Sequence, residues 1–279
     1  MTRLKLGFLA TAALAVLSAA LLGLTDAAPR ADDATKPPIR ALLVIGGCCH
    51  DYAKQKDILT KGISARANVQ WTIAYDPDTG IKHLNPVYEK PDWAKGYDVV
   101  VHDECCSGVT DETLIARILE PHRQGLPGVV LHCGMHCYRS KGYPKTTPWF
   151  EFTGLPSTGH GPQQPIAITF TDKESPITKG LENWTTIKEE LYNNFAGNVL
   201  DTAHPLARGK QIVRNKKDGK ERTEDVVVAW TNLYKGKTRV FATTLGHNND
   251  TVDDPRYLDL VTRGLLWSVD KLDKAHLKK

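Results

Sequence analysis

Between residues 40 and 131 short apolar runs alternate with stretches of helical periodicity, and that alternation constrains the fold more than any other feature. Arg40-Ala-Leu-Leu-Val-Ile45 is bounded by Gly46-Gly47, the pattern of a strand buried on both faces. Ile58, Leu59, Ile63 and Ala67 then recur at helical spacing over residues 54–67. Val69–Tyr75 and Tyr97–Val101 form a second and a third strand, the third ending at His102-Asp103-Glu104. Thr110 is placed to cap a helix striped with Leu114, Ile115, Ile118 and Leu119, and Gly128–Leu131 is a fourth strand ending at His132-Cys133-Gly134. Strands that alternate with helices imply right-handed crossovers, so the expected class is α/β, three-layer, with a mostly parallel central sheet flanked by helices.

The rest of the chain fits one such body. Pro165–Phe170, Ala203–Val213, Val226–Trp230 and Arg239–Thr243 are further strands, and a last helix over Asp254–Val269 opens on Pro255. Residues 40–270 are therefore read as one domain, 28–39 as a Pro-rich tether and 271–279 as a tail. Arg3 and Lys5 precede an apolar run from Leu6 to Leu24 that ends in small residues, which marks 1–27 as a signal peptide or, alternatively, an uncleaved N-terminal anchor. Export to a periplasmic or extracellular space follows, with no stable membrane contact once the leader is removed. Net charge is +4, from 36 Lys+Arg against 32 Asp+Glu. The densest basic stretch, Arg214–Arg222, is broken by acids and reads as a solvated hairpin, so no nucleic-acid partner is expected.

All six cysteines lie in three short clusters: Cys48-Cys49, Cys105-Cys106, and Cys133 with Cys137. Each cluster falls just beyond the carboxyl end of a predicted strand, the edge where open α/β sheets bind ligands. The cysteines are expected to converge there with His50, His102, His132 and His136. Disulfides, which export permits, buried reduced thiols and a zinc-type site are all compatible with that placement. No pair has CxxC spacing, and His132 and His136, at i and i+4, lack the glutamate of an HExxH helix. No cofactor is therefore expected, with zinc on His50, His132 and His136 as the alternative. There is no P-loop, and Gly46-Gly47 alone makes no dinucleotide fingerprint.

Five segments in order resemble the trehalose-utilization (ThuA-like) family: Gly46-Gly47 with His50-Asp51, Gly128-Val-Val-Leu-His132, Glu189-Glu-Leu-Tyr192, Lys235–Phe241 leading to Leu245-Gly-His247, and Arg263-Gly-Leu-Leu-Trp267. The resemblance implies a flavodoxin-like, class I glutamine amidotransferase-like fold and a link to trehalose and keto-sugar metabolism. It also implies a histidine set at His50, His132, His160 and His247. The sequence departs from glutamine amidotransferases, which need a cysteine on the turn after the fourth strand: His132 stands there, Cys133 follows, and the late His247 is followed by Asn248-Asn249, so the activating His-x-Glu is absent. Glutaminase activity is not expected.

The expected site binds a small-molecule carbohydrate, a sugar or keto-sugar. His132, His247 and Glu190 are the candidates for proton transfer. His50, Asp103, Arg139, His160, Tyr192 and Asn248 are the candidates for contact, with the sugar ring stacked on Tyr192 or Trp149. A carbohydrate-binding module without catalysis and a His-ligated zinc hydrolase are the alternatives. Nothing in the sequence sets an oligomeric state.

Overall fold

A single nine-stranded sheet organises the chain, in the order β2-β1-β3-β4-β9-β8-β7-β5-β6. Its strands are β1 (Ile39–Gly47), β2 (Val69–Asp76), β3 (Val99–Cys105), β4 (Gly128–Leu131), β5 (Gln164–Phe170), β6 (Trp184–Glu189), β7 (Ala203–Arg214), β8 (Glu221–Tyr234) and β9 (Thr238–Thr243). The computed structural model describes residues 37–195, 197–214, 219–273 and 276–278. The leader, nearly all of the tether, the tip of the basic hairpin and part of the tail lie outside the described residues. Among the described residues, no helix is long and apolar enough to cross a membrane.

The parallel half comes from the strand–helix units. Helix α1 (Tyr52–Arg66) links β1 to β2, and α2 (Glu112–Arg123) links β3 to β4. Asp111, rather than Thr110, caps α2, its side chain accepting from the Leu114 amide. Beyond β4 the expectation of a mostly parallel sheet fails. Of the eight neighbouring pairings, β1–β2, β1–β3, β3–β4 and β4–β9 are parallel, while β9–β8, β8–β7, β7–β5 and β5–β6 are antiparallel. The physical reason is connection length: only six residues separate β7 from β8 and three separate β8 from β9, and so short a connection can only reverse the chain. Among the strands and α-helices, three have no counterpart in the sequence: β6, α3 (Pro148–Thr153) and α4 (Asn249–Val252).

The pleat sends alternate β1 residues to opposite faces. Ala41, Leu43 and Ile45 pack with α1 and with α5 (Pro255–Ser268), whereas Leu42 and Val44 pack with Ile115, Ile118 and Leu119 of α2 and with Trp149 and Phe152 of α3. Helices thus cover both faces of the parallel half. Helix α5 begins at Asp254, which caps the Arg256 amide, and continues through Pro255 at its first turn. Gly264 brings it against β9, where a Cβ would overlap the Phe241 ring.

Gly264→Ala should therefore overpack this contact and lower unfolding free energy by about 1–3 kcal/mol, read from the urea midpoint at unchanged slope. An unchanged midpoint would show that α5 is not seated on β9 in this way.

Candidate functional site

Strand direction decides which side chains meet. Four successive antiparallel steps separate β6 from β9, so β6 again points the same way as β1, β3, β4 and β9. Residues following all five strands therefore gather at one edge: His50 after β1, His132 after β4, His247 after β9 and Glu190 after β6.

Glu190 is the centre of this cluster. Its side chain, 8% exposed, lies 3.5 Å from His132 Nε2, 3.5 Å from His160 Nε2 and 3.3 Å from His247 Nδ1. Burial, the largest single influence, pushes the carboxyl group's pKa up, but contacts with His132 and His247 outweigh it and hold the group well below the usual carboxylate range. His247 responds in the opposite sense. Its pKa is raised first by Glu190 and less by the second carboxylate, Glu189, against a smaller effect of burial.

Main-chain contacts hold each imidazole in place. His132 occupies the left-handed region at φ 42°, the strained turn expected where a strand ends in a functional elbow. Its Nδ1 donates to the Thr244 carbonyl at 2.7 Å, and its Nε2 faces both the Tyr192 hydroxyl at 3.2 Å and the Glu190 carboxylate at 3.5 Å. Gly246 makes that approach feasible, since a Cβ there would lie 2.9 Å from the Tyr257 hydroxyl and 3.5 Å from His132 Cβ. The His247 amide donates to Glu189 Oε1 at 2.9 Å. The Gln55 amide donates to the His247 carbonyl at 3.1 Å, and Gln163 Nε2 donates to His247 Nε2 at 2.8 Å. Asn193 Oδ1 accepts from the Thr158 and Gly159 amides and so shapes the loop that carries His160.

His50 completes the group, its ring 4.7 Å from those of both His132 and His247. Burial and the two neighbouring imidazoles push its pKa down to about 2. Its ring nitrogen also lies within 4.8 Å of the Cys105 and Cys133 sulfurs.

Other expected contacts are placed differently. Asp103 is buried in β3, where burial and then Glu104 raise its carboxyl pKa to about 8. Arg139 donates to the main-chain oxygens of His136 and Thr158 and covers Tyr143, and Asn248 donates to the Lys188 carbonyl at 2.6 Å. Tyr192 and Trp149 are buried, and the Tyr192 ring is already stacked on His136 at 4.1 Å and His160 at 5.6 Å. Neither is a free platform for a sugar.

The expected convergence of all cysteines and histidines also fails, because β3 runs on to Cys105 and its pleat separates them. His102 and Glu104 turn to the other face. There Tyr88 donates to Glu104 at 2.6 Å, His102 Nδ1 meets Glu104 at 2.9 Å, and His102 Nε2 meets His122 at 3.1 Å. Cys106 and Cys137 are buried there too, with the Cys106 amide donating to Cys137 Sγ. His136 is taken up by Ser157 and Tyr192, so among the described residues the three imidazoles whose nitrogens lie within 4.8 Å of one another are His50, His132 and His247 rather than His50, His132 and His136.

A cleft of about 260 Å³ adjoins the cluster, lined by His160, Tyr192, Asn193, Gln211, Arg222 and Glu224 among others. The larger hollow, about 810 Å³, lies beside α2 and Trp93 and contains no imidazole.

Residues 40–268 match the family model described as ThuA, trehalose utilisation. The chain belongs to the ThuA family. Its fold is similar to that of a ThuA-like protein from Parabacteroides merdae ATCC 43184, with 22% identity, 87% of this chain and 92% of that chain covered, and a TM-score of 0.60. A ThuA-like protein from Bacteroides uniformis ATCC 8492 shows 18% identity, coverage of 87% and 96%, and a TM-score of 0.56. The β-galactosidase Gan42B of G. stearothermophilus shares the fold over 85% of this chain and 31% of its own, at 11% identity and a TM-score of 0.51. No curated protein sequence matches the chain.

In this ThuA-family protein the Glu190–His247 contact carries a pH signature. Glu190, depressed from its ordinary 4.5, contributes stability above about pH 4.5 that is lost as pH falls through its lower folded value. His247, raised from 6.5, contributes fully below about pH 6.5 and loses that contribution as pH rises through its higher folded value. The contact should therefore stabilise most between about pH 4.5 and 6.5. Glu190→Gln should flatten the stability profile at both margins and move the His247 titration, followed by NMR, to lower pH. A His247 midpoint that stays where it was would refute the coupling.

Proposed function

We propose that this ThuA-family protein acts on a carbohydrate, a sugar or keto-sugar, by proton transfer at the Glu190 cluster. The observation that carries the proposal is one buried carboxylate touching three imidazoles, two of which, His160 and His247, keep 40% and 17% of their side chains exposed, with His160 also lining a polar cleft. A cleft of about 260 Å³ is smaller than the roughly 300–1,000 Å³ of drug-sized sites and suits one sugar unit. Arg222, Glu224, Gln211 and Asn193 supply donors and acceptors for hydroxyls.

His247 is the accessible acid or base, facing Glu190 through Nδ1. His132, 1% exposed and committed to Thr244 through Nδ1, holds Glu190 from behind. Proton abstraction next to a carbonyl, or protonation of a glycosidic oxygen, is the reaction class this supports. Export, inferred from Arg3, Lys5 and the Leu6–Leu24 run, belongs to the same reading.

One observation favours a second reading. The nitrogens of His50, His132 and His247 lie within 4.8 Å of one another, and His132 already donates its other ring nitrogen to a carbonyl, as zinc-binding imidazoles do. Under that reading His50, His132 and His247 would hold the zinc, which would supply an activated water, and Glu190 would be placed to orient it.

Turnover of a panel of glycosides and 3-keto-glycosides separates the readings. His247→Ala and Glu190→Gln should each lower it by about 10²-fold or more. Loss on chelation and recovery with zinc would favour the metal reading. Calorimetric binding of an unmodified sugar with no product formed would leave only a binding module, and unchanged turnover in His247→Ala would overturn the proton-transfer role.

A further inference from the structure

Beside the imidazole cluster lies a second group of side chains that the carbohydrate reading does not use. Cys48 follows β1, Cys105 ends β3 and Cys133 follows β4, and these three strands are neighbours in the sheet. The Cys48 amide donates to the Cys105 carbonyl at 3.2 Å. The two strands come this close because residue 47 is glycine, at φ 97°, where any Cβ would collide with the Cys105 carbonyl oxygen. The sulfurs of Cys48 and Cys105 are 3.2 Å apart; that of Cys49 touches Cys48, and that of Cys133 touches Cys105. His50 adds a ring nitrogen within 4.8 Å of both Cys105 and Cys133 sulfurs, and its Nδ1 is buried without a hydrogen-bond partner. Cys48, Cys105 and Cys133 are 8%, 4% and 6% exposed, whereas Cys49 is open to solvent and gives a way in.

We propose that in the reduced protein these sulfurs, with His50 at their edge, form a binding site for one thiophilic d¹⁰ cation of the zinc(II) class. Soft thiolates from three adjacent strand ends supply the donors such an ion prefers, and three of the four thiolates with the His50 imidazole make up a four-coordinate shell. On binding, each ligating thiol releases its proton to solvent, metal–sulfur bonds replace sulfur–hydrogen bonds, and no electrons change hands. An added oxidant that takes two electrons from each touching pair, closing Cys48–Cys49 and Cys105–Cys133 as disulfides with release of their protons, removes those donors. The site is thus open only when reduced. It goes beyond the carbohydrate reading and stands without it, because no sulfur contacts Glu190 in any hydrogen bond or ion pair described above.

Cobalt(II), added to reduced, desalted full-length chain under anaerobic conditions, is the probe, since thiolate ligation produces intense near-ultraviolet charge-transfer bands that imidazole ligation does not. One cobalt per chain with these bands is expected, displaced by zinc(II) and abolished by prior diamide oxidation. Cys105→Ser should weaken binding by at least about tenfold and diminish the bands. Cys49→Ser, at the exposed position least able to disturb folding, should alter them in the same direction, whereas His247→Ala should leave them unchanged. Circular dichroism verifies that each variant is folded. Absence of charge-transfer bands, bands that survive in both cysteine variants, or cobalt binding abolished by His247→Ala alone would overturn the proposal. The last outcome would instead support the imidazole metal site, so failure here remains distinct from failure of the proton-transfer role.

Discussion

Burying a carboxylate costs several kcal/mol unless opposite charge and hydrogen bonds return that energy, and at Glu190 that condition is met by side chains from three separate segments. Three imidazoles meet it, each brought by a different segment: His132 from the turn after β4, His247 from the loop after β9, His160 from the loop before β5. None of these segments is continuous with another in sequence. The carboxylate therefore acts as the junction between the parallel half of the sheet, which contributes His132 and His247, and the antiparallel half, which contributes Glu190 itself. The Glu189 side chain reinforces the junction by accepting from the amides of His247 and Glu190.

The sheet's mixed topology is what makes such a junction possible. Had β6 been reached from β9 by an odd number of antiparallel steps, Glu190 would emerge at the opposite edge, about a strand length from the imidazoles. An even number restores the direction. The exposed faces of β5 and β6 show where this half differs in packing: alternate residues are open to solvent, whereas β1, β3 and β4 are covered on both sides. The far strands are thus placed by hairpin pairing more than by a two-sided core, and the site closes over them through the His160–Tyr192 bridge.

Legibility in the sequence followed the length scale of the interactions. Strands β1 to β4 and helices α1, α2 and α5 are set by local periodicity and caps, and their positions were readable to within a few residues. The family likeness and the membership of His50, His132, His160, His247 and Glu190 in one edge cluster were readable from segment order. What escaped depends on contacts far apart in the chain. Strand β6, Trp-Thr-Thr-Ile-Lys-Glu, lies between a proline-containing loop and a glutamate pair, and only its pairing with β5 makes it a strand. Gln163, Gln55 and Asn193 carry no motif at all; each matters only because its amide reaches a loop 84, 192 or 34–35 residues away.

The cysteines show how one strand end, misjudged by a few residues, changes the chemistry of a site. Ending β3 at Val101 leaves His102 to Cys106 as a loop whose side chains are free to converge with every other strand-end residue. Extending it to Cys105 imposes the two-residue alternation of a pleat, so Asp103 and Cys105 face the Cys133 side while His102 and Glu104 join Tyr88 and His122 opposite. Six cysteines thereby divide into four at the ligand edge and two, Cys106 and Cys137, held by hydrogen bonds to each other and to the Glu104 carbonyl. The absence of CxxC spacing argued against a sulfur site only while donors were sought within one loop. Adjacent parallel strands deliver the same density of sulfur from residues 28 and 57 positions apart, and sequence spacing cannot register that.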